Sequence, residues 1–337
     1  MGLMLHFFLT VVFVFFSISS LSFVNSASPT SFSVGFYDQS CPAVEKIIHD
    51  ELVKKMSPIA HNITIPGILR LFFHDCNVQN NCFVLCVHGC DGSILILPTD
   101  DNNSERNATI NLSLAQDAFD LVNKAKEALE EECPGVVSCA DILAILARDV
   151  VNWWKGPNWE VEKGRKDGLI SNAAEAELLM PKSNEKIHTL IRRFESVGLS
   201  TADLVTLSGA HTVGVTQCKE FATRVFYNDT TLNSTTRSKV MDECNFPQME
   251  GIAALDQQTP FLFNNSYYKR LRERKGLLLS DHVLAFGENE FSRDLVDRYA
   301  ADQKLFVEFA KAMVKMGRVG VKTGSDGETR RDCTKFN

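Results

Sequence analysis

The run Ser138–Asn152 is apolar on nearly every side. Read as a helix, it has no polar face to turn toward water, so it has to sit at the centre of a domain with other elements packed around it. The rest of the chain supplies those elements mostly as helices. Cys41-Pro42 precedes an amphipathic stretch from Ala43 to Lys55, with proline where a helix starts. Ser113–Glu132 repeats the pattern and stops at Cys133-Pro134-Gly135. Glu185–Val197 is amphipathic, with Gly198 at its expected end, and Ser200–Leu207 follows with Ser200 as a cap before Asp203. Further helices are expected over Ser266–Arg274, Glu288–Ala301 and Gln303–Met316. Strand signals are few and short, around Trp159-Glu160-Val161. Hydrophobic residues make up 45% of the 337, enough for a sizeable core, and the pattern predicts one compact, mainly α domain.

The formal net charge is −7, and no basic run exceeds a few residues, which argues against nucleic acid as a partner. Residues 1–26 read as a secretory signal peptide, leaving a mature chain of 27–337. The apolar run from Leu3 to Phe16 is followed by small and polar residues, and Val24-Asn25-Ser26 offers a cleavage site, although the usual early positive charge is missing. The competing reading, a membrane anchor, needs about 20 apolar residues, and the polar break Ser17-Ile18-Ser19-Ser20 weakens it. No other segment has the length to span, so no membrane association is expected after cleavage.

Ten cysteines, at positions 41, 76, 82, 86, 90, 133, 139, 218, 244 and 333, imply disulfides in a secreted chain. The sequons Asn62-Ile63-Thr64, Asn102-Asn103-Ser104, Asn107-Ala108-Thr109, Asn111-Leu112-Ser113, Asn228-Asp229-Thr230, Asn233-Ser234-Thr235 and Asn264-Asn265-Ser266 agree with that compartment. Their cluster between 102 and 111 suggests an exposed, glycosylated loop.

Three segments carry chemistry. In Leu69-Arg70-Leu71-Phe72-Phe73-His74-Asp75-Cys76 an arginine precedes a histidine by four residues inside an apolar helix, so both side chains share one face. A fixed cation beside a neutral imidazole suits acid–base cleavage of a polar bond; the blander reading is a solvated helix face. In Leu204-Val205-Thr206-Leu207-Ser208-Gly209-Ala210-His211-Thr212 a histidine ends a helix behind small residues that let a bulky group approach; taken alone, it is a terminal histidine satisfied by carbonyls. In Gly276-Leu277-Leu278-Leu279-Ser280-Asp281 an aspartate follows an apolar run.

Together these segments resemble the secreted plant haem peroxidases of class III, over essentially the whole mature chain. Family-like pieces stand in order: Phe36-Tyr37-Asp38-Gln39-Ser40-Cys41-Pro42, Arg70 to Cys76, Gly89-Cys90-Asp91-Gly92-Ser93, and Cys133 to Asp141. Gly164-Arg165-Lys166-Asp167-Gly168, the His211 segment, Thr259-Pro260, Asn265-Ser266-Tyr267-Tyr268 and Ala312-Met313-Val314-Lys315-Met316-Gly317 complete the set.

The resemblance implies a two-lobed, mainly helical fold with haem b between the lobes. His211 would be the proximal iron ligand and Asp281 would accept its other ring N–H. Arg70 and His74 would lie on the distal side, Asn111 would accept from His74, and Glu105 would support Asn111. Hydrogen peroxide and small phenol-like aromatic donors would be the substrates, with donors reaching the haem edge near Pro181, which reads equally as an ordinary loop proline. The protein would be a secreted monomer of the cell wall or apoplast rather than the vacuole. The implied disulfides are Cys41–Cys133, Cys76–Cys90, Cys139–Cys333 and Cys218–Cys244, and Asp141 with Arg165 would form a buried ion pair. Two calcium ions are implied. The distal one would use Asp75, Asp91, Ser93 and the Gly89 carbonyl. The proximal one would use Thr212, Asp256, Thr259, the Leu262 carbonyl and Asn264, where the family usually has aspartate, so weaker binding is expected there. A glycan on Asn264 or Asn111 would be incompatible with these roles.

One stretch departs from the family. Between Cys76 and Gly89 the chain carries nine residues more than the pattern. The partner of Cys90 is therefore open among Cys76, Cys82 and Cys86, and the valine carbonyl of the calcium set among Val78, Val84 and Val87. The insertion, residues 80–88 in one register, reads as a surface bulge, as an error in the coding sequence, or as a loop that weakens calcium binding and loosens Arg70 and His74. A zinc site from Cys82, Cys86, His88 and Cys90 is a poor fit to an oxidising compartment. On the donor side, Pro181-Lys182-Ser183-Asn184-Glu185 is more polar than the family's usual run. The main functional reading is an active peroxidase; the alternative is a peroxidase-fold wall or binding protein whose turnover the insertion impairs. A non-haem, cysteine-rich secreted binder is the third, and His211 with Asp281 argues against it.

Overall fold

A computed structural model of the chain describes residues 32–56, 63–77, 89–302 and 305–337. The signal segment 1–26, the Asn62 sequon, and Val78, Cys82, Val84, Cys86, Val87 and His88 lie outside the described residues.

The described part is built from helices α1 (Val44–Met56), α2 (Thr64–Cys76), α3 (Gln116–Glu132), α4 (Cys139–Trp153), α5 (Ala173–Leu179), α6 (Ile187–Ser196) and α7 (Thr201–Ser208). These continue through α8 (Ala222–Phe226), α9 (Ser234–Glu243), α10 (Ser266–Arg272), α11 (Leu279–Phe286), α12 (Glu290–Ala301) and α13 (Leu305–Met316). The expected central helix is α4: every residue from Cys139 to Val151 is buried except Arg148, which is half-buried. It packs against α1, α2 and α3. Ser138 opens it by accepting the N–H of Asp141 at 3.2 Å, and α7 carries the expected capping box between Ser200 and Asp203.

Two strands of three residues each, β1 (Val215–Gln217) and β2 (Ile252–Ala254), pair antiparallel with Thr216 opposite Ala253. The strand expected around Trp159-Glu160-Val161 is absent. Among the described residues the nearest ladder pairing is two residues further on, between Lys163 and Ser33. Trp159 and Val161 instead pack as side chains on the core, with the Trp159 ring 6.5 Å from Phe309. The β-branched and aromatic content there reflects packing rather than pairing. A smaller apolar cluster of Cys218, Phe221, Val225, Val240, Cys244 and Leu277 stands apart from the main core, beside the strands.

Among the described residues the disulfides are Cys41–Cys133, Cys76–Cys90, Cys139–Cys333 and Cys218–Cys244. Of the three partners open to Cys90, the structure takes Cys76. Asp141 and Arg165 form the expected buried pair, with Nη1 donating to Oδ1 at 2.8 Å. The other carboxylate oxygen accepts from the Tyr37 hydroxyl at 2.8 Å and the Gly164 N–H at 2.6 Å.

Candidate active site

Helix α2 buries Ile65, Ile68, Leu69, Leu71 and Phe72, and the narrow face left over holds Arg70 and His74. That face forms one wall of a cavity of about 350 Å³, and His211, Asp281 and Pro181 also line it. His211 sits in the 3-10 turn Gly209–Thr212 that continues α7. Gly214 just beyond has φ 93°, and a β-carbon there would meet Pro66 of α2 at 2.6 Å. Only glycine fits this turn against α2.

The α2 wall is wired in one direction. Asn111 donates its amide N–H to the Glu105 carbonyl at 2.7 Å, which turns its amide oxygen toward His74. His74 Nδ1 lies 2.7 Å from that oxygen, so Nδ1 carries the proton and Nε2 keeps a lone pair. Nε2 accepts from Arg70 Nε at 3.2 Å. Burial first, then the Arg70 charge, pushes the His74 pKa down to about 3, with the Asn111 bond opposing. The imidazole is therefore a neutral base at any ordinary pH. Arg70 lines the cavity, and its guanidinium is aimed by Ser113: Nη1 donates to the carbonyl at 3.0 Å and Nη2 to the hydroxyl at 2.9 Å.

On the opposite side His211 Nδ1 donates to Asp281 Oδ1 at 2.8 Å. Burial works to lower the pKa of this imidazole, but the charge and hydrogen bond of Asp281 outweigh it and the net shift is upward. The same oxygen receives the Tyr267 hydroxyl at 2.7 Å. With Nδ1 taken, Nε2 is the nitrogen left for the cavity. A basic nitrogen backed by a carboxylate, between apolar walls that include Phe73, Leu204, Leu207, Val213 and Leu278, suits a flat, apolar, metal-centred group such as haem.

Pro181 stands with Lys182 and Ser183 on the cavity lining. This polar rim is braced by Lys182–Glu177 at 3.2 Å and Ser183–Glu220 at 2.8 Å. The Ser183 carbonyl accepts from Ser280 N–H at 2.8 Å, tying the rim to α11 beside Asp281.

The two sets read as calcium ligands each come together. At the distal set, Asp75 accepts from the N–H groups of Gly92 and Ile94 at 2.9 and 3.4 Å, and Asp91 accepts from Ser93 N–H at 3.1 Å. Among the described residues the Ser93 hydroxyl is buried without a hydrogen-bond partner, and Gly89 lies against the backbone of Val319 and Gly320. Burial and then Asp91 raise the pKa of Asp75. At the proximal set, Thr212 donates to Asn264 at 3.3 Å, Asn264 to Thr259 at 3.0 Å, and Thr259 to Asp256 at 2.7 Å; Leu262 follows Thr259 in the same turn, its N–H on the Thr259 carbonyl at 3.1 Å. Among the described residues no group of three or more His, Cys, Asp or Glu is arranged to hold a metal, so either site would depend on hydroxyls and carbonyls.

Two contributors escape a sequence reading: Tyr267 reaches Asp281, and Ser113 aims Arg70. Glu105 meets Asn111 through its backbone carbonyl rather than its carboxyl. The Ser113 hydroxyl lies 43 residues from Arg70, and nothing local announces it.

Residues 45–302 match the family model described as Peroxidase. Peroxidase 41 of Arabidopsis thaliana is 42% identical over 318 residues, covering 93% of this chain and 94% of the relative. Peroxidase 55 of the same plant is 40% identical, covering 92% of each, and Peroxidase 65 is 40% identical, covering 96% of this chain and 95% of its own.

Proposed function

The chain belongs to the peroxidase family, as a plant haem peroxidase, and on that premise we propose that Arg70, His74 and Asn111 cleave hydrogen peroxide opposite a haem whose iron is held by His211. The observation that carries the assignment is the pair of polarised imidazoles on one cavity, His74 backed by Asn111 and His211 backed by Asp281.

Haem, held by His211, would supply the electron-transfer chemistry between peroxide and donors. The protein's part is proton handling and charge. His74 Nε2 takes the proton of the peroxide's inner oxygen and returns it to the outer one, so water leaves instead of hydroxide; such help is worth about 10²–10⁴-fold. Arg70 stabilises the negative charge that develops as the bond breaks. Asn111 keeps the proton on Nδ1, without which Nε2 is no base. Asp281 holds His211 in one tautomer and makes it a stronger donor to iron. Small phenol-like donors approach over Pro181, and the Lys182 and Ser183 rim biases the choice toward polar ones.

Thr212, Asp256, Thr259, the Leu262 carbonyl and Asn264 offer the hard oxygen donors that calcium prefers. An amide in place of a carboxylate lowers the charge of that set, and with it the affinity. Residues 1–26 direct the chain to secretion, and the four disulfides support an oxidising destination. All groups invoked belong to one chain, so a monomer suffices.

The test is peroxide-dependent oxidation of a simple phenol by purified, haem-loaded protein. Absence of activity beside a normal haem absorption band would refute the assignment. Replacement of His74 by Ala should remove peroxide cleavage and leave haem bound; loss of haem instead would place His74 on the wrong side. The alternative of a non-turning-over wall or binding protein is not favoured by relatives that are themselves peroxidases.

A further inference from the structure

Glu220 ends the 3-10 turn Cys218–Glu220, beyond the His211 segment, and lies on the cavity lining with Pro181, Lys182 and Ser183. Its Oε2 accepts from the Ser183 hydroxyl at 2.8 Å, which fixes the carboxylate beside the rim over which donors approach in the reading above. A hydroxyl is a neutral donor: it holds the carboxylate without cancelling its charge.

The acidic side chains next to this rim are matched with cations. Glu177 has the Lys182 ammonium at 3.2 Å, and Glu185 has Arg193 Nη2 at 2.6 Å. Glu220 differs: among the described residues it forms no ion pair, and its Oε1 accepts no hydrogen bond. The other cation on the lining is Arg70, which His74 and Ser113 hold on the α2 wall. The Glu220 charge reaches it, working to raise the guanidinium pKa against the stronger effect of burial. Asp281, also on the lining, is taken up by His211 and Tyr267. The rim thus presents an unbalanced negative charge beside apolar walls that include Leu255 and Leu278, where charges act more strongly than in water.

We propose that Glu220 selects the donor: this chain prefers phenols that carry a protonated amine and rejects phenols that carry a carboxylate. The proposal rests on the peroxidase reading above and narrows its donor class. An ammonium at Oε1 makes a charge-assisted hydrogen bond. A carboxylate there meets a like charge, which discriminates by repulsion, and the Lys182 ammonium that could offset it is shared with Glu177.

Three phenols of matched length decide it: cationic tyramine, neutral tyrosol and the anionic hydroxyphenylpropanoate. With haem-loaded protein and peroxide at neutral pH and low salt, kcat/KM should fall in that order, tyramine standing about 10-fold or more above the propanoate. The gap should narrow as salt rises. Glu220→Gln keeps an oxygen for the Ser183 hydroxyl and should erase most of the gap, whereas a purely bracing role would move all three donors together. Equal values for tyramine and the propanoate, a preference for the propanoate, or an unchanged gap in Glu220→Gln would each overturn the proposal. Dissociation constants, read without peroxide from the shift of the haem absorption band, should follow the same order, so the preference is decided even where turnover fails. No measurable binding of tyramine would overturn it there. Tyrosol oxidation reports separately on the peroxidase reading: its absence refutes that reading, and its presence without a charge preference refutes only this one.

Discussion

Tyr267 and His211 converge on a single oxygen of Asp281, the hydroxyl at 2.7 Å and the ring nitrogen at 2.8 Å. The carboxylate divides its basicity between them. Removing the tyrosine hydroxyl leaves more of it for the imidazole, which becomes the better donor to iron. Tyr267→Phe should therefore shift the ferric/ferrous midpoint to more negative potential. Unfolding measurements should show a loss of about 1.5–3 kcal/mol, the usual worth of a hydrogen bond to a charged group. A midpoint that moves positive would contradict this wiring.

Peroxide cleavage should be insensitive to pH across the neutral range. In the proposed reaction the active form of His74 is the neutral one, and burial with Arg70 nearby holds its pKa down to about 3. The rate constant should fall only as acidity passes through that value and the imidazole takes a proton. Asn111→Asp places a carboxylate against Nδ1, which favours the charged ring. The acid limb should then move up by about 1–3 units, as read from stopped-flow rates against pH.

In the proposed reaction Arg70 serves the developing charge rather than the holding of haem. Arg70→Leu should keep the haem absorption band and slow peroxide cleavage by about 10²–10³-fold, the usual cost of one stabilising donor. Ser113→Ala removes one of the two anchors that Ser113 gives the guanidinium, the hydroxyl at 2.9 Å, while the backbone carbonyl at 3.0 Å remains. Its rate should lie between native and Arg70→Leu in the same stopped-flow assay.

Arg165→Met leaves Asp141 buried without its cation. Three neutral donors remain on that carboxylate, the Tyr37 hydroxyl and the backbone N–H groups of Gly164 and residue 165, which cannot replace a charge. Denaturant unfolding should show a loss of about 3–5 kcal/mol; a loss under 1 kcal/mol would mean the pair is not needed.

The parts that were legible in sequence are those written into local periodicity or into motifs. Helix α4 declares its burial by having no polar face, α7 its start through Ser200 and Asp203, and the two imidazoles stand in segments whose order identifies the family. What stayed hidden depends on residues brought together from afar. Tyr267 reads as a helix aromatic until α10 and α11 pack, and Ser113 as the last residue of a sequon. Lys322 sits in a polar run that says nothing of a carboxylate 231 residues earlier. The three-residue strands are too short for alternation to show, while Trp159 and Val161 show strand chemistry without a strand, because propensity cannot tell pairing from packing.

The bond between Cys139 and Cys333 spans 194 residues, and it has company: Arg330 donates to the carbonyls of Gly92 and Gly168 at 2.8 and 2.7 Å, and Lys322 reaches Asp91. Everything these three residues fasten is synthesised well before they are. On the ribosome, the distal loop and the start of α4 must wait with their charges and sulfur unpartnered until the stretch 322–333 has emerged. The site is thus completed after translation of its own catalytic residues, and a shortened chain lacking that stretch would lose the support behind α2 rather than a dispensable tail.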